Sequence, residues 1–393
     1  MKAQPGRPWP APLASIRSAK PQTRLPWRAA LASIQSARRF GLLLLVTLCP
    51  AAVQAADAVS SIPVKWSTAE PALDPASPNW LRHPATTVSV YPQVGVPPVA
   101  APTGAATVKV RAQYGARTVA LHLEWTDDKP AQDRGVGRFA DGAAVQWPVR
   151  YGSGTALPYI GMGHGGTPVA LWFWRGDGSV ETLAAEGFGT LSAQPPDGVK
   201  ARGVWKDGTW RVVFVRALSA PGLPAARGAA RAGEHRVSIA PAKAGLVPVA
   251  FAVWSGDAAE RNGLKRLSAW QVLRFEKGKV DAVYANQLGE VAVAGDAERG
   301  KRLMSEKGCA GCHSFPANPA QPHVGPDLTY AGGIHSAAYL TESLLEPSRV
   351  VVPGKGYFME QDGKKTSLMP PFTGTETERN DILAYLMSLR GQP

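Results

Sequence analysis

The sequence predicts a mainly β protein, an antiparallel sandwich, followed by a small all-α domain. Between about residues 60 and 283, short runs that alternate apolar and polar residues recur between turn residues, and the chain contains 41 Gly and 35 Pro. Beyond 283 the apolar residues take up helical spacing. With 393 residues, 45% of them hydrophobic, the chain is long enough to bury the cores of two ordinary domains.

Seven segments of the first domain are predicted strands: 107–112, 118–125, 145–149, 169–174, 210–215, 249–254 and 269–275. The first two alternate in polarity and are separated by a turn that contains glycine. Many short strands with turn signals favour an antiparallel sandwich. An Ala/Arg/Gly-rich stretch at 220–233 is predicted to be a loop insertion.

The first 55 residues are predicted to be a secretory signal peptide. Arg38 and Arg39 precede a short apolar run at 40–48, and small residues lead to a cleavage site after Ala55. The run is too short to span a bilayer, and no later segment is long and apolar enough to act as an anchor. The mature protein is therefore expected in the periplasm.

Two other export signals fit the leader less well. A twin-arginine signal would have another residue between the arginine pair and Phe40, and a lipoprotein would have small residues before Cys49.

The leader also explains most of the net charge of +13, because residues 1–55 contain eight basic residues and no acidic one, which leaves +5 for the rest. The charge therefore gives no reason to expect nucleic-acid binding.

Near the C-terminus, Cys309, Cys312 and His313 form a C-x-x-C-H pattern. This pattern is typical of c-type haem attachment, in which two thiols bind the porphyrin vinyl groups and the adjacent histidine binds the iron. The alternatives are a disulfide or half a zinc site. The histidine, the predicted leader and the lack of a second cysteine pair favour one covalent haem c.

The segments around this motif fit a small helical domain. Asp296 is predicted to cap a helix over 297–304, and apolar residues at helical spacing predict a last helix over 381–389. With Gly-Pro-Asp-Leu at 325–328 and Met-Pro-Pro-Phe at 369–372, residues 290–393 resemble a class I cytochrome c.

That resemblance implies that Met369 is the second axial ligand of the haem c iron. The alternatives are Met304, Met359, Met387, His323 and His335. Met304 and Met387 are expected in the core, Met359 lacks the Pro-Pro context, and the two histidines are expected in surface loops. An iron with both axial positions filled favours electron transfer over substrate chemistry.

The first domain has no Ser-His-Asp signature, phosphate loop or dinucleotide fingerprint, and His122 within a strand is expected to be structural. The segments 144–148, 161–163, 172–174, 186–190 and 261–265 are similar to the haem-binding γ subunit of ethylbenzene dehydrogenase and of related type II enzymes of the dimethyl sulfoxide reductase class. The resemblance implies a b-type haem in the sandwich, with Met162 and Lys265 as axial ligands.

Alternatives remain at both positions of this second site. His164 is a rival ligand two residues after Met162, and Lys265 could be a solvated turn residue among Arg261, Asn262 and Arg266. A lysine that binds iron must be neutral, which requires a desolvated site or the metal itself. The fused cytochrome c also departs from the family pattern and leaves the type of partner enzyme open.

The leading hypothesis is a periplasmic di-haem electron-transfer subunit that performs no substrate chemistry. Its divisions would be a signal peptide at 1–55, a haem b-binding sandwich at 56–283 and a cytochrome c domain at 284–393. Its partners would be molybdenum/iron–sulfur oxidoreductase subunits and a soluble or membrane electron donor or acceptor. The alternatives are a mono-haem cytochrome c with a haem-free docking or ligand-binding sandwich, and an enzyme with an open haem.

Overall fold

A computed structural model describes residues 61–93, 104–218, 235–289, 292–319, 324–352 and 356–391. The predicted leader, the predicted insertion at 220–233 and His323 lie outside these residues. The described residues belong to one compact unit, Gln54–Pro393.

Within the described residues, the first part of the chain forms a 13-stranded sheet. The strands are β1 (Ser61–Trp66), β2 (Thr86–Pro92), β3 (Ala106–Tyr114), β4 (Thr118–Thr126), β5 (Gly142–Pro148), β6 (Val169–Arg175), β7 (Val180–Ala185), β8 (Ser192–Ala193), β9 (Lys200–Lys206), β10 (Thr209–Ala217), β11 (Leu246–Trp254), β12 (Arg266–Leu267) and β13 (Gln271–Phe275). All seven predicted strands are among them.

The sheet folds back on itself into two layers around one central core. Its main path runs β8-β7-β6-β5-β11-β12-β2-β3-β4-β10-β9, and every pairing is antiparallel except those of β1 with β3 and β13. Side chains from both halves of the path, such as Leu121 and Phe251, meet in the same apolar cluster. The predicted antiparallel sandwich is confirmed.

Two central strands are buried on both faces. Every residue of β5 and β11 is buried. Successive side chains on a strand point to opposite faces, so Val145 and Phe251 fill the central core while Ala144 and Ala252 lie on the other face. Ile334, from the helical domain, packs against that second face.

The rest of the described chain is mainly helical. It contains α1 (Ala282–Leu288), α2 (Ala297–Glu306), α3 (Ala331–Ile334), α4 (Ala337–Leu345), α5 (Glu376–Ser388) and a hairpin of β14 (Phe358–Gln361) and β15 (Lys364–Ser367). Short 3₁₀ helices span Pro78–Arg82 and Cys309–Gly311. The buried residues Tyr284 and Leu288 of α1 pack against the sandwich residues Leu246 and Val272.

The two predicted helices of the second domain are confirmed, and they pack against each other. Asp296 caps α2 by accepting a hydrogen bond from the backbone N–H of Arg299. Thr375 and Glu378 form a capping box at the start of α5. The helices approach so closely at Gly300 that a Cβ atom there would lie 1.9 Å from the carbonyl oxygen of Asp381.

Among the described residues, no helix has both the length and the apolar character needed to cross a membrane.

Candidate haem-binding sites

A cavity of about 420 Å³ lies in the helical domain. Its wall includes Cys309, Cys312, His313 and Met369, so the structure brings together the four residues that the sequence assigns to haem c. The cysteines carry free thiols. The volume is within the range of cofactor pockets.

The loop after the C-x-x-C-H pattern fixes the ring of His313. The Nδ1 atom donates a hydrogen bond of 2.8 Å to the carbonyl oxygen of Pro326, which leaves Nε2 as the nitrogen that can bind a metal. A Cβ atom at Gly325 would lie 2.7 Å from the His313 ring, so only glycine allows this approach. Burial lowers the pKa of His313 and favours the neutral imidazole that a metal requires.

Asp327 holds the same loop in place. It accepts hydrogen bonds from the Ser314 hydroxyl at 2.7 Å and from the backbone N–H of Thr329. The Gly-Pro-Asp-Leu motif is visible in the sequence, but its roles as histidine acceptor and loop brace are not.

The structure places the alternative ligands at different locations. Met304 and Met387 are buried in the helical core, as expected, and Met304 also lines the cavity. Met359 is 61% exposed on β14. The expectation that His335 is a surface loop residue is wrong, because His335 lines the cavity. Burial lowers the pKa of His335 to about 4.

These donors fit a covalently held haem. Two free thiols, a neutral imidazole with one oriented nitrogen and a methionine thioether face one cavity, which is the donor set of a c-type haem with histidine and methionine axial ligands.

A second pair of predicted ligands meets on the sandwich. The Nζ atom of Lys265 lies 3.6 Å from the Sδ atom of Met162, 103 residues away in sequence. Lys265 is only 4% exposed, so the alternative of a solvated turn residue is wrong. Its amine lies 5.3 Å from the centre of the Trp254 ring, and no described carboxylate forms an ion pair with it.

Burial lowers the pKa of Lys265 to about 8. An ammonium group in such surroundings is costly, because a thioether is a poor hydrogen-bond acceptor and cannot replace the lost water. The same surroundings favour a neutral amine with a lone pair that a metal can accept.

Met162 has a strained backbone, because its φ angle of +80° lies in a region that residues other than glycine rarely adopt. Two hydrogen bonds hold it there: its N–H donates to the carbonyl oxygen of Ile160, and the N–H of Gly187 donates to its carbonyl oxygen. The loop is braced from the sheet as well, since the Gln146 side chain donates to Ile160 and the Trp270 indole donates to Pro158.

Met162 and Lys265 lie outside the central core of the sandwich. That core is filled by side chains such as Trp147 and Phe251. Met162 packs against a cluster of Val169, Leu171, Leu183 and Ala185. Phe173 and Trp270 border this cluster and also the one that contains Ile334 of the helical domain.

His164 has a structural contact within the Met162 loop. Its Nδ1 atom accepts a hydrogen bond of 3.1 Å from the backbone N–H of Tyr159.

The side chains of Lys265 and Met162 suit a haem iron, because a buried neutral amine and a thioether are both iron donors. Among the described residues, the amine has only the sulfur of Met162 as a hydrogen-bond partner.

Two family models match the chain in separate regions. One is described as ethylbenzene dehydrogenase and covers residues 77–198, and the other is cytochrome c and covers residues 297–390. The first match includes Met162, and the second includes Cys309, Cys312, His313 and Met369.

Three curated proteins are similar to the chain. A putative respiratory nitrate reductase heme subunit of Haloferax mediterranei is 34% identical over 253 residues, which are 64% of this chain and 86% of that protein. The chlorate reductase subunit gamma of Ideonella dechloratans is 33% identical, with coverage of 51% of this chain and 80% of that protein. The dimethylsulfide dehydrogenase subunit gamma of Rhodovulum sulfidophilum is 30% identical, with coverage of 50% and 72%.

Solved structures give only a distant likeness. A family 9 carbohydrate-binding module from Caldicellulosiruptor kristjanssonii in complex with glucose aligns with a TM-score of 0.30 and 9% identity, over 56% of this chain and 98% of that one.

Proposed function

Because the chain belongs to the ethylbenzene dehydrogenase family of haem-binding gamma subunits, we propose that it is the di-haem electron-transfer subunit of an exported oxidoreductase complex. One covalent haem c is held by Cys309, Cys312 and His313, with Met369 as the second axial ligand. One haem b is held by Met162 and Lys265. When bound, each haem supplies a one-electron carrier.

The contact between Lys265 and Met162 is the main observation that supports the haem b site. A lysine buried to 4% exposure, without a carboxylate among its described neighbours, costs folding energy that a purely structural role does not repay. Lys265 becomes a useful residue once its neutral amine donates to a metal. The strained backbone of Met162 supports the same conclusion, because strain of this kind is concentrated at functional sites.

The residues of the cavity wall support the haem c site. His313 is oriented by Pro326 and kept neutral by burial, and the two thiols and Met369 share its cavity. Filling both axial positions leaves no open position for a substrate, so this site is suited to electron transfer.

The relatives support the choice of partner. They are a putative nitrate reductase heme subunit and the gamma subunits of a chlorate reductase and a dimethylsulfide dehydrogenase. We expect this chain to exchange electrons with a molybdenum/iron–sulfur catalytic subunit on one side and a soluble or membrane carrier on the other. A leader at 1–55 would place this exchange in the periplasm.

The test is a pyridine haemochrome spectrum of protein matured with haem c assembly factors, before and after acid–acetone extraction. The proposal predicts one extractable b haem and one retained c haem per chain. Retained c haem alone would contradict the haem b half and favour a mono-haem cytochrome with a docking sandwich.

Two lysine variants locate the b haem. Lys265→Leu removes the amine and is expected to abolish the extractable haem while the c haem stays. Lys279→Leu is the matched control, because Lys279 is exposed and lies outside the site. Equal haem b content in the two variants would exclude Lys265 as a ligand.

A further inference from the structure

The two candidate haem sites are adjacent, and one residue belongs to both. Tyr159 lies three residues before Met162, in the loop that presents the proposed haem b ligand. Its side chain also lines the cavity that contains Cys309, His313 and Met369. Tyr159 is 8% exposed, so it is enclosed between the two sites.

The backbone of Tyr159 is part of the haem b loop. Its N–H donates to His164 Nδ1, and its carbonyl oxygen accepts a hydrogen bond of 2.8 Å from the N–H of Gly163. Gly161 allows the ring to fold over the loop, because a Cβ atom there would lie 2.6 Å from the Tyr159 ring. Displacement of Tyr159 would therefore disturb the backbone next to Met162.

The ring of Tyr159 contacts the helical domain. It stacks on His335 at 5.8 Å between centroids with the planes 21° apart, and it lies 5.4 Å from the ring of Tyr339. His335 and Tyr339 are 4.6 Å apart, so the three rings form one cluster. His335 and Tyr339 also line the haem c cavity.

A second contact holds the helical domain against the sheet. Gly333 of α3 lies against Tyr91 of β2, where a Cβ atom would be 2.6 Å from the tyrosine ring. The ring of Tyr330 lies 5.8 Å from the same tyrosine. Close packing at two places fixes the orientation of the helical domain on the second face of the sheet.

We propose that the cluster of Tyr159, His335 and Tyr339 positions the two haem sites against each other, so that the chain exchanges electrons between them through this interface. These three are positioning residues and are not ligands. The inference rests on the proposed function, because it requires a haem at each site. It also gives the fused domain a specific role, since a flexible tether alone would leave the distance between the sites variable.

The experiment compares the full-length haem-loaded chain with the double variant Tyr159→Leu/His335→Leu. Three measurements are made: the thermal unfolding profile, protease cleavage between α1 and α2, and the rate at which electrons re-equilibrate between the sites after flash reduction. Phe358→Leu is the control for loss of an aromatic ring, because Phe358 is neither in the cavity wall nor in the cluster of Tyr159, His335 and Tyr339. Tyr159→Phe keeps the ring and tests whether the hydroxyl matters.

The double variant is expected to unfold in two transitions, to be cleaved faster between the domains, and to re-equilibrate its electrons roughly tenfold more slowly, because a small loss of alignment is costly. Tyr159→Phe and Phe358→Leu should behave like the wild type. If the double variant binds both haems and all three measurements are unchanged, the inference is wrong although the proposed function stands. If the wild type binds no b haem, the proposed function fails first and the inference falls with it.

If the double variant does not fold, Gly333→Ala replaces it. This change disturbs the interface at Tyr91 and replaces none of the three rings and none of the proposed ligands; Gly333 and Tyr91 are not among the residues of the cavity wall. It should give the same separation of unfolding transitions and the same slowing, and wild-type behaviour would contradict the inference.

Discussion

At the scale of single residues, the environment of each side chain decides its role more than its type. Lys265 and Lys279 are both lysines in the same domain, but the first is buried against Met162 and the second is exposed. Likewise, Met369 lines a cavity with Cys309, whereas Met359 is exposed on a hairpin. These contrasts provide matched pairs for experiment.

The first residue-scale prediction concerns Met369. Met369→Leu keeps the approximate volume and removes the thioether, so the reduction potential of the haem c iron should fall and the reduced protein should bind carbon monoxide. Redox titration and absorbance spectroscopy measure both effects. Met359→Leu should match the wild type, and the same behaviour in Met369→Leu would exclude Met369 as the axial ligand.

The second concerns His122, which is buried in β4 and stacks on Trp80 at 5.2 Å. Its Nε2 atom lies 3.2 Å from the carbonyl oxygen of Pro75, and burial lowers its pKa from 6.5 to about 4. The unfolded chain therefore binds the extra proton first as the pH falls. The stability contributed by neutral His122 is complete above pH 6.5 and is lost as the pH falls to about 4.

The measurement is urea unfolding of the wild type and of His122→Leu between pH 7 and pH 4. As the pH falls over this range, the wild type should lose about 3 kcal/mol of stability relative to His122→Leu, because the pKa of His122 falls from 6.5 in the unfolded chain to about 4 in the folded protein. A difference that does not vary with pH would show that His122 does not titrate as its burial implies.

At the scale of secondary structure, alternation and capping predicted the elements that carry strong local signals. All seven predicted strands form, as does the helix capped by Asp296. Six strands of the described sheet were not predicted, and they are β1, β2, β7, β8, β9 and β12. β1 is flanked by two parallel partners, a tertiary arrangement that its six residues do not encode, and β9 has no buried residue that would create an apolar period.

The candidate site was predictable to a similar extent. The C-x-x-C-H pattern proposed Cys309, Cys312 and His313, and family resemblance proposed the other ligands. Three features required the fold: the role of Pro326 as acceptor for His313, the burial of Lys265, and the position of His335 in the cavity wall. Each depends on segments distant in sequence. Local patterns cannot report which of them meet.

The element-scale prediction concerns the crossing of α2 and α5. Gly300→Ala places a Cβ atom 1.9 Å from the backbone oxygen of Asp381, so the helices must move apart. The helical domain should lose roughly 2–3 kcal/mol of stability in urea unfolding. Lys301→Ala, at the exposed neighbouring position of the same helix, should change it by less than about 0.5 kcal/mol. Equal effects would mean that the crossing is not closely packed.

At the scale of the whole molecule, the second face of the sheet explains how two domains form one electron-transfer unit. A sandwich needs only its central core to fold, yet β5 and β11 are buried on both faces. The small side chains Ala144, Ala250 and Ala252 lie on the second face, in the same cluster as Ile334 of the helical domain. The proposed haem b ligands lie at that face, so the proposed haem b site and the domain packing share one surface.

A reductive titration of the purified haem-loaded protein measures whether a single chain carries two redox centres. The wild type should accept two electrons per chain, and Lys265→Leu should accept one and retain the spectrum of the c haem. A wild type that accepts one electron, or a Lys265→Leu variant that still accepts two, would contradict the proposed pair of haems.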